Sequence, residues 1–233
     1  MRVNKTATIL WALSSLGASA ANADVSVVTS IKPVHSLVSS VMQGVGSPTV
    51  IIEGAGSPHT YSLKPSQAKQ LQDADLVFWM GDELETFLEG PIQNIAKNAK
   101  SITLIESHGL KKIKFREGGM FDAHDDHDDH GHDKHAKDDH DDHGKDKHAK
   151  DDHDDHGHGE FDPHVWLDPI NAKAIVHEIE EALVKADPKN AQKYEANADR
   201  ISGEMDQLVK ELRAQLQPVQ DKGFIVFHDA YQY

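Results

Sequence analysis

The sequence predicts an α/β protein: a parallel sheet flanked by helices in an N-terminal lobe, then one long connecting helix, then the start of a second α/β lobe. Three observations carry this. Short β-branched or apolar runs alternate with segments of helical period, the pattern of strands joined by crossover helices. One of these runs, Leu76–Met80 (LVFWM), is apolar throughout, as a strand buried on both faces is. A tract of almost pure His, Asp and Lys, from Asp122 to Glu160, interrupts the pattern and contributes nothing that can pack into a core.

Taken in order, Val25–Ile31 (VSVVTSI) reads as the first strand, because β-branched side chains favour the pleated conformation. Val34–Met42 follows as a short helix with Val34, Leu37, Val38 and Val41 on one face. Thr49–Ile52 is a second strand. Ser66–Ala74 reads as a helix with Ser66 as its N-cap after Pro65. Leu76–Met80 is the third strand. Glu83–Asn98 is expected to be helical in part, broken or kinked at Gly90-Pro91, where proline removes a backbone donor. Ile102–Ile105 is the fourth strand. Beyond the tract, Asn171–Ala186 places Ala172, Ile175, Ile179, Ala182, Leu183 and Ala186 on one stripe, and Asp187-Pro188 ends it. A longer helix, about Asn190 to Gln217, has apolar steps of three and four at Tyr194, Ala198, Ile201, Met205, Leu208, Leu212 and Leu216. At 1.5 Å per residue it spans roughly 40 Å, the width of a domain. It is either an ordinary packed helix or a strut between lobes. Phe224–Phe227 (FIVF) is then a further strand. A lone strand after a long helix cannot bury its own faces, so the second lobe is expected to be barely begun and the chain cut short.

The organisation expected is therefore a signal peptide over 1–23, a first lobe over 24–189 with the disordered 122–160 tract inside it, a connecting helix over 190–217, and the start of a second lobe over 218–233. The signal reading rests on Arg2 and Lys5, the short apolar run from Thr6 to Leu16, and the small residues Ala18 to Ala23. Cleavage is expected after Ala23. The run is too short to span a bilayer and no other apolar stretch is long enough, so stable membrane insertion of the mature chain is not expected. Cysteine is absent, which excludes disulfides and thiolate metal sites. The net charge is −15, and the tract, with 16 acidic residues against 5 lysines, holds −11 of it. Nothing resembles the clustered basic surface that nucleic acid requires.

Eleven of the 17 histidines lie in the tract: His124, His127, His130, His132, His135, His140, His143, His148, His153, His156 and His158. Part of it is a tandem repeat, since Asp133–Gly144 and Asp146–Gly157 both read DKHAKDDHDDHG. Imidazoles and carboxylates at such spacing coordinate divalent metal ions. Three of the other six histidines stand in distinctive settings. His59 lies in GAGSPHTYSLKPS, just past the Thr49–Ile52 strand. His164 lies in DPHVWLDP. His228 directly follows the Phe224–Phe227 run. Open α/β sheets bind ligands beyond the carboxyl ends of their strands, which is where His59 and His228 fall. A lone loop histidine is ordinarily a solvated surface residue. Three such placements beside a metal-binding tract point instead to ligands. His35, His108 and His177 carry no such signal.

GSPHTYSLKPS, DPHVWLDP and FHDAY resemble the signature segments of the zinc-binding periplasmic solute-binding proteins of ABC transporters, in the cluster that serves zinc and manganese uptake. The resemblance covers nearly all of the chain beyond the signal. It implies two α/β lobes joined by one long helix, with Zn2+ as the transported ligand in the cleft between them. It also implies periplasmic location, a monomer, and an ABC-type zinc permease in the inner membrane as partner. The matching ligands are His59, His164 and His228. Manganese-type relatives carry a carboxylate where His228 stands, and three neutral imidazoles suit zinc better than manganese. Pro58 precedes His59, so the sequence names no fourth ligand.

The function expected is a high-affinity zinc receptor with the tract as an auxiliary collector or sensor. No catalytic residues are expected. A periplasmic zinc buffer or chaperone is the alternative, and a zinc hydrolase, which also uses His₃ and water, is a weaker one. Against a hydrolase, H-E-x-x-H is absent, for His177 begins only HEIEE. Coordinating imidazole must be neutral, and its ordinary pKa is about 6.5. Metal binding is therefore expected to weaken on acidification, the tract before the three isolated histidines, which titration calorimetry at two pH values measures.

Overall fold

The computed structural model describes residues 25–116, 160–226 and 228–233. The signal segment, nearly all of the tract with its eleven histidines, and Phe227 lie outside the described residues. Four short strands, β1 (Val27–Thr29), β2 (Thr49–Val50), β3 (Leu76–Trp79) and β4 (Lys100–Thr103), form one parallel sheet in the order β2-β1-β3-β4. The register pairs Val28 with both Thr49 and Val77, and Phe78 with Ile102. The chain moves one way from β1 to β2 and the other way from β2 to β3, creating a switch point at β1, where open sheets hold ligands.

The crossover helices are α1 (Lys32–Val41), α2 (Pro65–Gln72) and α3 (Asp82–Asn94), followed by α4 (Pro169–Ala186) and α5 (Ala191–Leu216). α1 packs with α4 and α5, and α2 packs with α3. Right-handed crossovers put these two groups on opposite faces of the sheet once the winding reverses. Between them lies one core: Val27, Val28, Leu76, Val77, Phe78 and Ile102 from the strands, Val34, Val38 and Val41 from α1, and Ile175, Val176, Ile179 and Leu183 from α4. Each such fully buried aliphatic side chain stabilises by about 1.5–3 kcal/mol.

The predicted elements form, with these differences. Ser66 is not the cap of α2; Pro65 opens the helix, and the Gln67 side chain turns back to accept from the Lys64 backbone N–H at 2.8 Å. β4 begins at Lys100, and Leu104–Glu106 is a 3₁₀ turn rather than strand. α3 runs through Gly90-Pro91 and instead departs from helical geometry at Glu85 (φ −120°, ψ 53°). The cause is a buried carboxylate: Glu85 Oε2 accepts from the N–H groups of Met80 (2.7 Å) and Gly81 (3.2 Å). Gly81 has φ 141°, and a Cβ there would meet Ile105 at 3.1 Å. α5 forms as expected and is packed over its first half only. Tyr194, Ala198 and Ile201 bury its first half, while Leu208 (39% exposed) and Leu216 (55%) leave the second half open. Finally, Phe224–Val226 is not a strand: Phe224 is 76% and Ile225 100% exposed. A strand exists only by pairing, and no described strand lies alongside.

Burial pushes the Glu85 carboxyl up to about 7, and the nearby Ser30 hydroxyl and the two backbone N–H groups offset this only in part. Because the folded pKa exceeds the unfolded one, the folded state holds its proton more tightly. This contribution to stability is complete below about pH 4.5 and is lost as pH rises through about 7, a change on the order of 3 kcal/mol. Urea unfolding between pH 4.5 and 7.5 should show that loss in the parent chain, and Glu85→Gln should remove it while leaving the protein more stable at the upper pH.

Candidate metal centre

The loop after β2 carries His59. Its backbone makes a 3₁₀ turn over Pro58–Thr60, and the turn packs against α3. Two neighbours fix it. The Gln67 amide donates to Ile51 O (2.7 Å) and to Tyr61 Oη (2.9 Å), and the Tyr61 ring lies 5.2 Å from that of Phe87. Gly56 lets the loop close on this ring, since a Cβ would stand 3.0 Å from Tyr61. His59 itself is exposed.

His164 is held differently. The segment re-enters the described chain as an antiparallel bridge, Lys114 with Phe161, and Asp162 N donates to Ile113 O at 2.8 Å. Asp162 is wholly buried. Its Oδ1 accepts from the His164 backbone N–H (3.0 Å) and lies 2.6 Å from His164 Nδ1. Burial raises the Asp162 pKa, but hydrogen bonds from His164 and Gln232 outweigh it and hold the carboxyl below its usual range. After His164 the chain makes one 3₁₀ turn, buries Val165, and enters α4 with the Asp168 side chain accepting from Ile170 N–H at 2.8 Å. His164 is thus pinned on both sides and is only 6% exposed.

His228 approaches from the far end of the chain, on a segment that returns to the first lobe after α5. The three imidazoles meet although 105 and 64 residues separate them. Ring centroids lie 5.6 Å (His59–His164), 5.4 Å (His59–His228) and 5.1 Å (His164–His228) apart. One nitrogen of each falls within 4.8 Å of the others, the one such His, Asp and Glu group among the described residues. His164 Nε2 and His228 Nε2 are 3.3 Å apart. Metal–nitrogen bonds of 2.0–2.1 Å at tetrahedral angles separate two imidazole nitrogens by about that distance. Burial, then the neighbouring His164 and His228, hold His59 below the ordinary imidazole pKa, against the opposing pull of Asp162. Neutral imidazole is the form that coordinates.

The other three described histidines stay apart from this cluster. His35 lies between Thr29 Oγ1 and Ser39 Oγ, each at 3.3 Å. His177 is exposed beside Glu180 and Glu181. His108 is exposed beyond β4. Sequence reasoning missed Asp162, Gln232 and Tyr233, which surround the cluster. An Asp two residues before a candidate ligand is a local signal for the first of them, but nothing local marks the other two.

Comparison with known proteins gives the family. The family model described as "Zinc-uptake complex component A periplasmic" matches residues 27–233. The high-affinity zinc uptake system protein ZnuA of Brucella abortus is 50% identical over 223 residues, covering 93% of this chain and 66% of the relative. That of Paracoccus denitrificans is 41% identical over 232 residues, covering 99% and 69%. Among solved structures, Zn(II)-bound AdcA from Streptococcus pneumoniae shares the fold with a TM-score of 0.64 at 22% identity, over 90% of this chain and 36% of that one. The chain spans about two thirds of the length of the curated relatives it matches. With a family match running from β1 to the final Tyr233 and through all three histidine segments, the chain belongs to the ZnuA family, the periplasmic component A of zinc-uptake complexes.

Proposed function

We propose that this protein is a zinc receptor that captures Zn2+ in the periplasm through His59, His164 and His228 and delivers it to an ABC-type permease for uptake. The observation that carries this reading is the convergence of three imidazoles, each with one ligand nitrogen within 4.8 Å of the others. Such a set suits a tetrahedral Zn2+ with one position left for water or a carboxylate. Catalysis is no part of the reading: nothing is asked of the site except to bind the ion and release it. The residue lengths follow the same reading, with 24–189 as the first lobe, 190–217 as the connecting helix, 218–233 as the start of the second lobe, and a signal removed after Ala23. The His/Asp-rich tract over 122–160 serves as an auxiliary collector, whose many weak sites raise the local zinc concentration near the cleft.

Zinc titration of the parent chain beside the His59→Ala/His164→Ala/His228→Ala variant tests the ligand set. Loss of the single tightest site, with the weaker sites kept, is expected. Deleting 122–160 should have the reverse effect, keeping one tight site and reducing uptake only when zinc is scarce. A buffer would lose nearly all binding on that deletion, and a hydrolase would turn over esters or peptides when zinc-loaded.

A further inference from the structure

Asp162 faces two ways. Toward the cluster its Oδ1 holds His164 through Nδ1, at 2.6 Å. A carboxylate only accepts hydrogen bonds, so the proton sits on Nδ1 and the Nε2 lone pair faces His228. Away from the cluster, Asp162 Oδ2 accepts from Gln232 Nε2 at 2.9 Å, and its backbone carbonyl accepts from Tyr233 Oη at 2.8 Å. Tyr233 Oη in turn accepts from Ile113 N–H at 3.0 Å, on the other arm of the bridge that carries Asp162. Gln232 and Tyr233 lie four and five residues beyond His228. Between them, Ala230 is buried (4% exposed), and its N–H donates to His228 O at 3.0 Å. Arg116 and Asp229 add a longer ion pair at 3.7 Å. The preceding residues, Phe224 and Ile225, are exposed, so these bonds beyond His228 hold the segment in place.

We propose that Asp162, Gln232 and Tyr233 are positioning residues: a hydrogen-bonded latch that seats the segment carrying His228 against the bridge carrying His164, so that the two imidazoles are aligned before metal arrives. The inference rests on the three-histidine reading of the site. Its physical basis is that an untethered His228 would have to be ordered by the metal itself, at the expense of affinity, whereas the latch settles that ordering in folding. Asp162 also sets the tautomer of His164, so one carboxylate orients one ligand and anchors the other.

The experiment uses the full chain, with the tightest site isolated by competition between Zn2+ and a chelator. Gln232→Met keeps the side-chain length and removes the donor; Tyr233→Phe removes only the hydroxyl. Each should weaken that site by about 10–100-fold, the usual effect of losing an outer partner of a metal ligand, and speed zinc dissociation. The exchange Asp162→Asn with Gln232→Glu reverses donor and acceptor across the 2.9 Å contact and should recover affinity to within a few-fold of the parent. Imidazole nitrogen NMR of the metal-free protein should place the His164 proton on Nδ1. Residues that only support the fold would lower the unfolding temperature yet leave zinc dissociation unchanged, and that result would overturn the latch. So would a failure of the exchanged pair to recover binding, or a His164 proton on Nε2. His59→Ala separates the two readings: if it spares the tight site, the three-histidine reading fails, and if it removes the site while Gln232→Met does nothing, only the latch fails.

Discussion

One buried carboxylate organises the three-histidine cluster. Asp162 is closed off from solvent, yet both of its side-chain oxygens and its carbonyl are used. A buried ionised group left unpaired is costly, so its partners are under strong pressure to stay where they are. Those partners are His164 on one side and Gln232 on the other, with Tyr233 on the carbonyl. The charge that is expensive to bury thereby becomes the element that fixes the geometry of two candidate ligands. Its own position is set by the Lys114–Phe161 bridge, which joins the two described ends of the chain on either side of the His/Asp-rich tract.

The parallel sheet and the helices packed on it supply the frame. The central strands β1 and β3 are buried throughout, and the winding reverses at β1, the kind of place where open sheets hold ligands. His59 stands on the loop after β2, stiffened by Pro58 and by the Gln67–Tyr61 contact. The exposure is uneven: His164 is buried and pinned, whereas His59 and His228 are exposed on their segments. The cluster therefore joins one buried, pinned imidazole to two that reach solvent.

The core tolerates a second buried acid by a different device. Glu85 has no counter-charge in its hydrogen bonds and turns out of the helix to reach the Met80 and Gly81 N–H groups just past β3. Its proton does what the hydrogen bonds from His164 and Gln232 do for Asp162, which is why the two carboxyls move in opposite directions, one up to about 7 and one below its usual range. The bend of α3 thus falls at Glu85, and the helix continues through Pro91, the residue at which a break was expected.

The sequence by itself determined the fold class, the existence and order of the four strands, both long helices and the three isolated histidines, because apolar periodicity and residue chemistry are local properties of the chain. Its assignment of the histidine-rich tract to metal chemistry rests on composition alone and concerns residues outside the described ones. What the sequence misplaced were features decided by partners. Ser66 looks like a cap, but Pro65 already begins the helix. Gly90-Pro91 looks like the break, but a buried carboxylate at Glu85 bends the chain first. Phe224–Phe227 has strand composition, but strands are made by neighbours, and Phe224–Val226 has no described strand to pair with. Only the tertiary structure brought His59, His164 and His228 into one cluster and revealed Asp162, Gln232 and Tyr233 behind them. Hydrogen bonds across 70 residues leave no periodic trace in sequence, since they depend on where the folded backbone places each donor and not on what stands beside it in the chain.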